Sequence, residues 1–180
     1  MKKEVTVHDK TFEIYISAEK IQARVNEIGE IISAEFKGRN PLFLSILNGS
    51  FIFTADIMRA CDLECEVSFV KLSSYQGTET TGKIKTLIGL DNNIAGREVI
   101  ILEDIVDTGN TLTHFLEILD TYDPKSVTLV SLLTKPEVLK DRVKVDQVGF
   151  EIPNKFVVGY GLDYDGLARN LKDIYQLKGG

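Results

Sequence analysis

The stretch from Val99 to Leu119, VIILEDIVDTGNTLTHFLEIL, decides the fold. It opens on a short apolar run, Val99–Leu102, of the kind a strand buried on both faces requires. Two adjacent acids follow, Glu103 and Asp104, and then Asp107. Acids so close to a buried strand are costly unless positive or hydroxyl-bearing groups meet them. Thr108-Gly109 then leads into a helical pattern over Thr111–Leu119. Strand, acidic end, Gly/Thr turn and helix form one unit of an alternating α/β chain.

The same alternation continues outward. Ser17 begins a helix with Glu19 in its first turn, and Ile21, Val25, Ile28, Ile32 and Phe36 recur at spacings of three and four. LFLSIL, Leu42–Leu47, is a second apolar strand, and Asn48-Gly49-Ser50 turns it into a helix over FIFTADIMRA. Glu66–Ser73 has partial strand alternation. Ser74–Lys83, SYQGTETTGK, is a polar loop bounded by Ile84–Leu87, and Asp91-Asn92-Asn93 is a turn signal. Tyr122-Asp123-Pro124 ends the helix after the acidic loop. Val127–Leu133 is a further strand, Val145–Val148 and Phe156–Val158 are short strands either side of Pro153, and Leu167–Ile174 is expected to be helical. This order implies an α/β fold with a mainly parallel, open twisted sheet flanked by helices. Ligands of such sheets bind beyond the carboxyl ends of the strands. That places Asn48-Gly49, Glu103–Thr111, Thr134-Lys135 and Gly159–Asp165 at the expected site.

A chain of 180 residues fits one domain, and its net charge of −6 disfavours a general nucleic-acid binder. Cys61 and Cys65 lack the two-residue spacing of a redox pair, and His8 and His114 alone are left to complete a zinc site. Both read as free thiols in a reducing compartment. MKKEVTVHD has no following apolar segment, and no run approaches about 18 apolar residues. The expectation is a cytoplasmic protein without membrane contact.

The loop after the acids has its own chemistry. Gly109 permits positive φ or close backbone approach, successive amides can converge as a nest, and the next helix adds unpaired N–H groups. With the hydroxyls of Thr108 and Thr111, Asp107–Thr111 makes a cradle for one monophosphate. It is neither a P-loop nor a dinucleotide fingerprint. Ionised Glu103 and Asp104 only accept hydrogen bonds, which suits the two hydroxyls of a ribose, or a divalent ion. Asp107 can take a proton from an incoming nitrogen base. The competing account is a solvated strand rim with a plain turn.

VIILEDIVDTGNTL closely resembles the 5-phosphoribosyl diphosphate (PRPP) motif of the type I phosphoribosyltransferases. LSILNGSFIFTADIMR, SSYQGTETTGKIK, SLLTK and GFEIPNKFVVGYGLDYDGLARNL, in that order, resemble the hypoxanthine-guanine subgroup over about Leu42–Leu171. The resemblance implies the type I fold, with a small hood formed by about residues 1–15 and 145–180 of a single domain spanning 1–180. It implies transfer of phosphoribose from PRPP to a 6-oxopurine, hypoxanthine and guanine, with release of pyrophosphate. Glu103 and Asp104 then hold the ribose, Asp107 to Thr111, including Asn110, hold the 5-phosphate, and Asp107 is the catalytic base.

By the same resemblance, Asn48 and Gly49 form a pyrophosphate loop with a cis peptide between Leu47 and Asn48. Many relatives carry a basic residue where this chain has Asn48. Ser74 and Tyr75 reach the pyrophosphate from a closing lid, and Arg169 binds one of its oxygens. Lys135 meets the purine's six-position oxygen, Phe156 stacks on the base and Val157 meets its edge through backbone atoms. Magnesium is implied, with Glu103, Asp104 and Asp163 as ligands. Self-association into a homodimer or homotetramer is also implied. Each feature has a plainer reading: a strand-to-helix turn at Asn48, a surface loop at Tyr75, a solvated Lys135, a core strand at Phe156–Val158, and an exposed ion pair at Asp163 and Arg169. Three other functions stand against transfer: a nonenzymatic nucleotide-binding regulator, a metal-dependent phosphatase, which lacks its DxDx[TV] motif here, and an interaction module.

Overall fold

The computed structural model describes residues 3–74, 84–88, 94–139 and 142–179, with backbone alone for 73, 74 and 84–88. Tyr75, the lid expected over Ser74–Lys83 beyond Ser74, and the turn at Asp91–Asn93 lie outside the described residues.

The chain begins with two strands, β1 (Glu4–Val7) and β2 (Lys10–Ile16), which the sequence reading did not separate out. Helix α1 (Ala18–Glu35) follows; Ser17 caps it through its side chain on the Lys20 amide, and the expected stripe of Ile21, Val25, Ile28 and Ile32 is buried. Next come β3 (Leu42–Leu47), α2 (Phe51–Ala60), β4 (Glu66–Ser74) and β5 (Ile84–Ile88). β6 (Glu98–Val106), α3 (Asn110–Asp120), β7 (Ser126–Thr134) and the short α4 (Pro136–Leu139) continue the alternation. The chain closes with β8 (Gln147–Glu151), β9 (Val157–Val158) and β10 (Ile174–Leu177).

Six strands form one sheet in the order β5-β4-β3-β6-β7-β8. All its pairs are parallel except β4 with β5. This is the mainly parallel α/β sheet expected. Its central strands are apolar on both faces because helices cover both. Phe43, Ile100 and Leu102 pack with α1 and α2, whereas Leu42, Leu44 and Ile101 pack with α3. After β3 the chain builds outward through β4 and β5; β6 then returns to the other side of β3. That reversal opens a crevice beyond the carboxyl ends of β3 and β6.

A second, antiparallel sheet has the order β1-β2-β10-β9 and its own core of Val7, Phe12, Val158, Ala168 and Tyr175. It draws on Glu4–Ile16 and on the chain from Val157 onward; Gln147–Glu151, placed by expectation with the hood, belongs to the large sheet.

The helix expected over Leu167–Ile174 is absent. Asp165, Gly166 and Ala168 have positive φ, which breaks a right-handed helix, and the carbonyls of Arg169 and Leu171 accept from Gly161 and Tyr160 instead. This region is a folded turn system pinned to the Gly159–Leu162 segment.

Candidate active site

β6 runs through both acids to Val106 rather than stopping at Leu102, so Glu103 and Asp104 lie on the strand. Alternation on a strand sends neighbours to opposite faces. Glu103 lines a cavity of about 250 Å³ together with Leu47, Asp107, Thr108, Gly109 and Thr111. Asp104 faces the other way, onto the turn after β3: a Cβ built on Gly49 would fall 1.5 Å from its Oδ2. Only glycine fits there.

Both acids resist ionisation. Burial, and then the charge of Asp104, hold the Glu103 carboxyl well above the usual range, and its Oε2 is buried without a hydrogen-bond partner. Burial also lifts Asp104 to about 6, against the Ile105 amide that its Oδ1 accepts and the nearby Arg169 charge. A buried carboxyl oxygen without a donor, such as Glu103 Oε2, is poised to receive a hydroxyl or a cation.

The loop beyond β6 is open. Thr108, Asn110 and Thr111 are exposed, and Gly109 sits at φ 75° as the residue before α3. A Cβ on Gly109 would approach Leu139 Cδ1 to 2.9 Å, so the α4 region backs the loop closely. Arg142, which the sequence reading did not single out, donates to Asn110 Oδ1 at 2.7 Å. A cation near this loop had no local sequence signal, because 32 residues separate the pair.

Lys135 is 7% exposed, contrary to the ordinary expectation for a lysine at a strand end. Its amide donates to the Val106 carbonyl at 3.2 Å, which tucks the end of β7 against that of β6. Its ammonium meets Asp107 Oδ2 at 3.1 Å, while the Asp107 side chain stays half exposed. Phe156 is 42% exposed at the rim of the small sheet, with its ring against Phe12 and Tyr164. Val157 and Val158 are buried; Val157 pairs with Gln176 in the ladder of β9 and β10.

The third wall is the segment from Gly159 to Arg169. The peptide between Leu47 and Asn48 is cis. The Gly49 carbonyl lies 2.0 Å from where a Cβ of Gly161 would be, so the two backbones touch. Arg169 donates through Nη1 to the Gly161 carbonyl at 2.6 Å and pairs through Nη2 with Asp163 at 2.7 Å. Asp163 also accepts from the Gly166 amide at 2.7 Å. The crowded Gly49 thus sits between Asp104 and the Gly161 backbone that Arg169 holds, with the exposed Asn48 next to it in the chain. Among the described residues no three acidic, imidazole or thiol groups converge on one point. Glu103, Asp104 and Asp163 therefore do not form a single protein cage for a metal.

Residues 14–165 match the model of the phosphoribosyl transferase domain family. The chain belongs to the phosphoribosyltransferase family. Among similar members, the hypoxanthine-guanine phosphoribosyltransferase of Lactococcus lactis is 42% identical over 172 residues, covering 94% of this chain and 93% of that protein. A Bifunctional protein TilS/HprT from Listeria innocua is 40% identical over 174 residues, covering 96% of this chain; the match spans 27% of that longer protein's length. A crystal structure of a hypoxanthine phosphoribosyltransferase from Staphylococcus aureus superposes with a TM-score of 0.87 at 38% identity, covering 92% of this chain and 91% of that one. The phosphoribosyltransferase likeness thus extends over both sheets. No helix among the described residues is long and apolar enough to cross a membrane.

Proposed function

We propose that this phosphoribosyltransferase moves the 5-phosphoribosyl group of PRPP onto hypoxanthine and guanine, releasing pyrophosphate. One observation carries the reading: the open Thr108–Thr111 loop shares a cavity with Glu103, whose Oε2 is buried without a partner, beside the Lys135–Asp107 pair. The loop's amides and hydroxyls receive the 5-phosphate. Glu103 accepts from the ribose hydroxyls. Asp104, one residue on and facing Gly49, serves the junction of ribose and diphosphate.

The diphosphate lies along Asn48-Gly49, where Arg169 brings the donor fork that suits phosphate. Ser74 and Tyr75 complete this subsite. Lys135 donates to the six-position oxygen of the purine, which selects against adenine's amino group. The half-exposed face of Phe156 stacks on the base, and the Val157 backbone meets its edge. The small sheet acts as the hood over the base.

A divalent ion fits the donor set, since magnesium commonly binds one or two carboxylates together with substrate oxygens. Asp163 and Asp104 would hold it beside the diphosphate, and it would neutralise the leaving group. The residues themselves do the rest. Bond cleavage at the anomeric carbon leaves positive charge on the sugar, which the carboxylates of Asp104 and Asp107 favour over the neutral ground state. Asp107 accepts the N7 proton as the new bond forms. Holding both substrates in one crevice removes much of the entropic barrier.

The test is base-dependent pyrophosphate release, with adenine as control, in the wild type and in Asp107→Asn. Release with hypoxanthine and guanine is expected. In the variant, turnover should fall by about 10²-fold or more while PRPP affinity changes little. Equal turnover in both forms would remove Asp107 as the base, and no purine-dependent release at all would refute the activity.

A further inference from the structure

Beneath the turn after β3 lie three hydroxyls that the proposed chemistry does not use. Ser45 and Ser50 are fully buried and Thr54 is 2% exposed, in an interface otherwise packed by Phe43, Phe53 and Ile57. Alanine or valine would fill these positions without placing polar atoms in the core. A hydroxyl has one proton to donate. Ser50 donates to the Ile46 carbonyl at 2.5 Å, and Thr54 donates to Ser45 Oγ at 2.8 Å. The 2.7 Å contact between Ser45 and Ser50 must therefore run from Ser45 to Ser50. The result is a directed chain, Thr54 to Ser45 to Ser50 to the Ile46 carbonyl.

This chain ties the two ends of the turn. Ile46 and Ser50 bracket Leu47-Asn48-Gly49, and Thr54, on the next turn of α2, holds Ser45 through its hydroxyl and the Ser50 carbonyl through its amide. Ser50 precedes α2, where a serine usually caps the helix by accepting from its first-turn amides; here it makes no such bond. Its hydroxyl points back to β3, and the α2 amides at the turn receive no side-chain cap. The two exposed-side restraints on the turn, Asp104 and Gly161, both act at Gly49.

We infer that the Thr54–Ser45–Ser50 hydroxyl chain is a positioning device for the Asn48–Gly49 turn, setting its amides for the diphosphate of PRPP and for pyrophosphate. This rests on the reading of that turn as the diphosphate subsite. These three are positioning residues, since none of them faces the crevice. Chains of buried hydrogen bonds hold a single arrangement more firmly than their separate strengths suggest.

The experiment compares Ser50→Ala, Thr54→Val and Thr54→Ser with the wild type. It measures KM for PRPP and for hypoxanthine, and KM for pyrophosphate in the reverse reaction with the nucleotide. Ser50→Ala should raise KM for PRPP and pyrophosphate about five- to tenfold, the equivalent of one neutral hydrogen bond, and leave that for hypoxanthine unchanged. Thr54→Val should move the same constants in the same direction, and Thr54→Ser, which keeps the hydroxyl, should restore them. Unchanged KM for pyrophosphate in both Ser50→Ala and Thr54→Val would overturn the inference. So would an equal rise for hypoxanthine, which marks general loosening of the fold. Asn48→Asp separates the underlying reading: Asn48 is exposed, and a new negative charge there must weaken pyrophosphate binding if the turn holds it. A shift with Asn48→Asp but none with the hydroxyl variants leaves the subsite standing and removes the positioning role; no shift with Asn48→Asp removes the subsite itself.

Discussion

Replacing Asp104 with asparagine should stabilise the ligand-free protein, and by an amount that depends on pH. Burial lifts this carboxyl from 3.8 to about 6. An acid whose folded pKa is raised binds its proton more tightly when folded, so ionisation favours the unfolded chain. The penalty is nearly absent below the unfolded value, grows as pH rises between the two values, and is complete above about pH 6. That rise in pKa corresponds to about 3 kcal/mol. Asparagine keeps the oxygen that accepts from the Ile105 amide and removes the charge facing Gly49. Removing that charge also relieves Glu103, whose carboxyl Asp104 pushes further up, so the coupled effect has the same sign. The stability gap between Asp104→Asn and wild type should therefore widen from about 1 kcal/mol near pH 4.5 to about 3 kcal/mol above pH 7. Urea unfolding in the presence of EDTA measures it. At a slope of about 2 kcal/mol per molar, the wider gap is a midpoint shift of about 1.5 M. A gap that does not change with pH, or a variant less stable than wild type at pH 8, would refute the view that Asp104 is a buried charge held for a ligand. The same variant should bind PRPP poorly, because stability lost at a site is commonly what its function requires.

Two other substitutions probe the walls of the crevice. Gly109→Ala places a Cβ 2.9 Å from Leu139 Cδ1 at a φ of 75°. It should cost about 1–2 kcal/mol in thermal or urea unfolding and raise KM for PRPP more than that for hypoxanthine. Asn48→Lys adds a cation at this exposed position. It should lower KM for pyrophosphate, with an effect that fades as salt is raised from low ionic strength; a salt-independent change would point to altered turn geometry instead.

Much of this molecule was legible in its sequence because period and punctuation agreed. The stripe from Ile21 to Ile32 read as a helix face, and LFLSIL and VIIL were consistent with strands covered on both sides. The open Thr108–Thr111 loop followed from glycine and threonine placed between strand and helix. What stayed hidden depends on contacts between distant segments. Lys135 reads as solvated until the end of β7 is docked on Val106, which buries its stem and delivers its charge to Asp107. Arg142 reaches Asn110 only once α4 has folded back over the loop. Leu167–Ile174 has helical spacing, but the carbonyls that would have closed its turns are taken by the Gly159–Leu162 segment. Local propensity lost there to a tertiary demand, and the demand is the close passage of Gly161 over Gly49.

The position of the two acids on β6 unites these observations. Had the strand stopped at Leu102, Glu103 and Asp104 would both have sat on a turn, free to share one ligand. Because it continues to Val106, strand alternation separates them by face. Glu103 enters the cavity of the Thr108–Thr111 loop, and Asp104 enters the junction of Gly49, Asp163 and Arg169. A single strand end therefore supplies one acceptor to the Thr108–Thr111 side and another to the Asn48–Gly49 side. In the proposed reaction these are the sugar-phosphate and diphosphate sides of the bond that breaks. Glu103 Oε2 has no partner within the protein, and burial raises the pKa of Asp104 although its Oδ1 accepts from the Ile105 amide, so both acids are held there at a cost. In the proposed reaction, serving both sides of that bond is why two adjacent acids stand at the end of a buried strand, where burial raises the pKa of both.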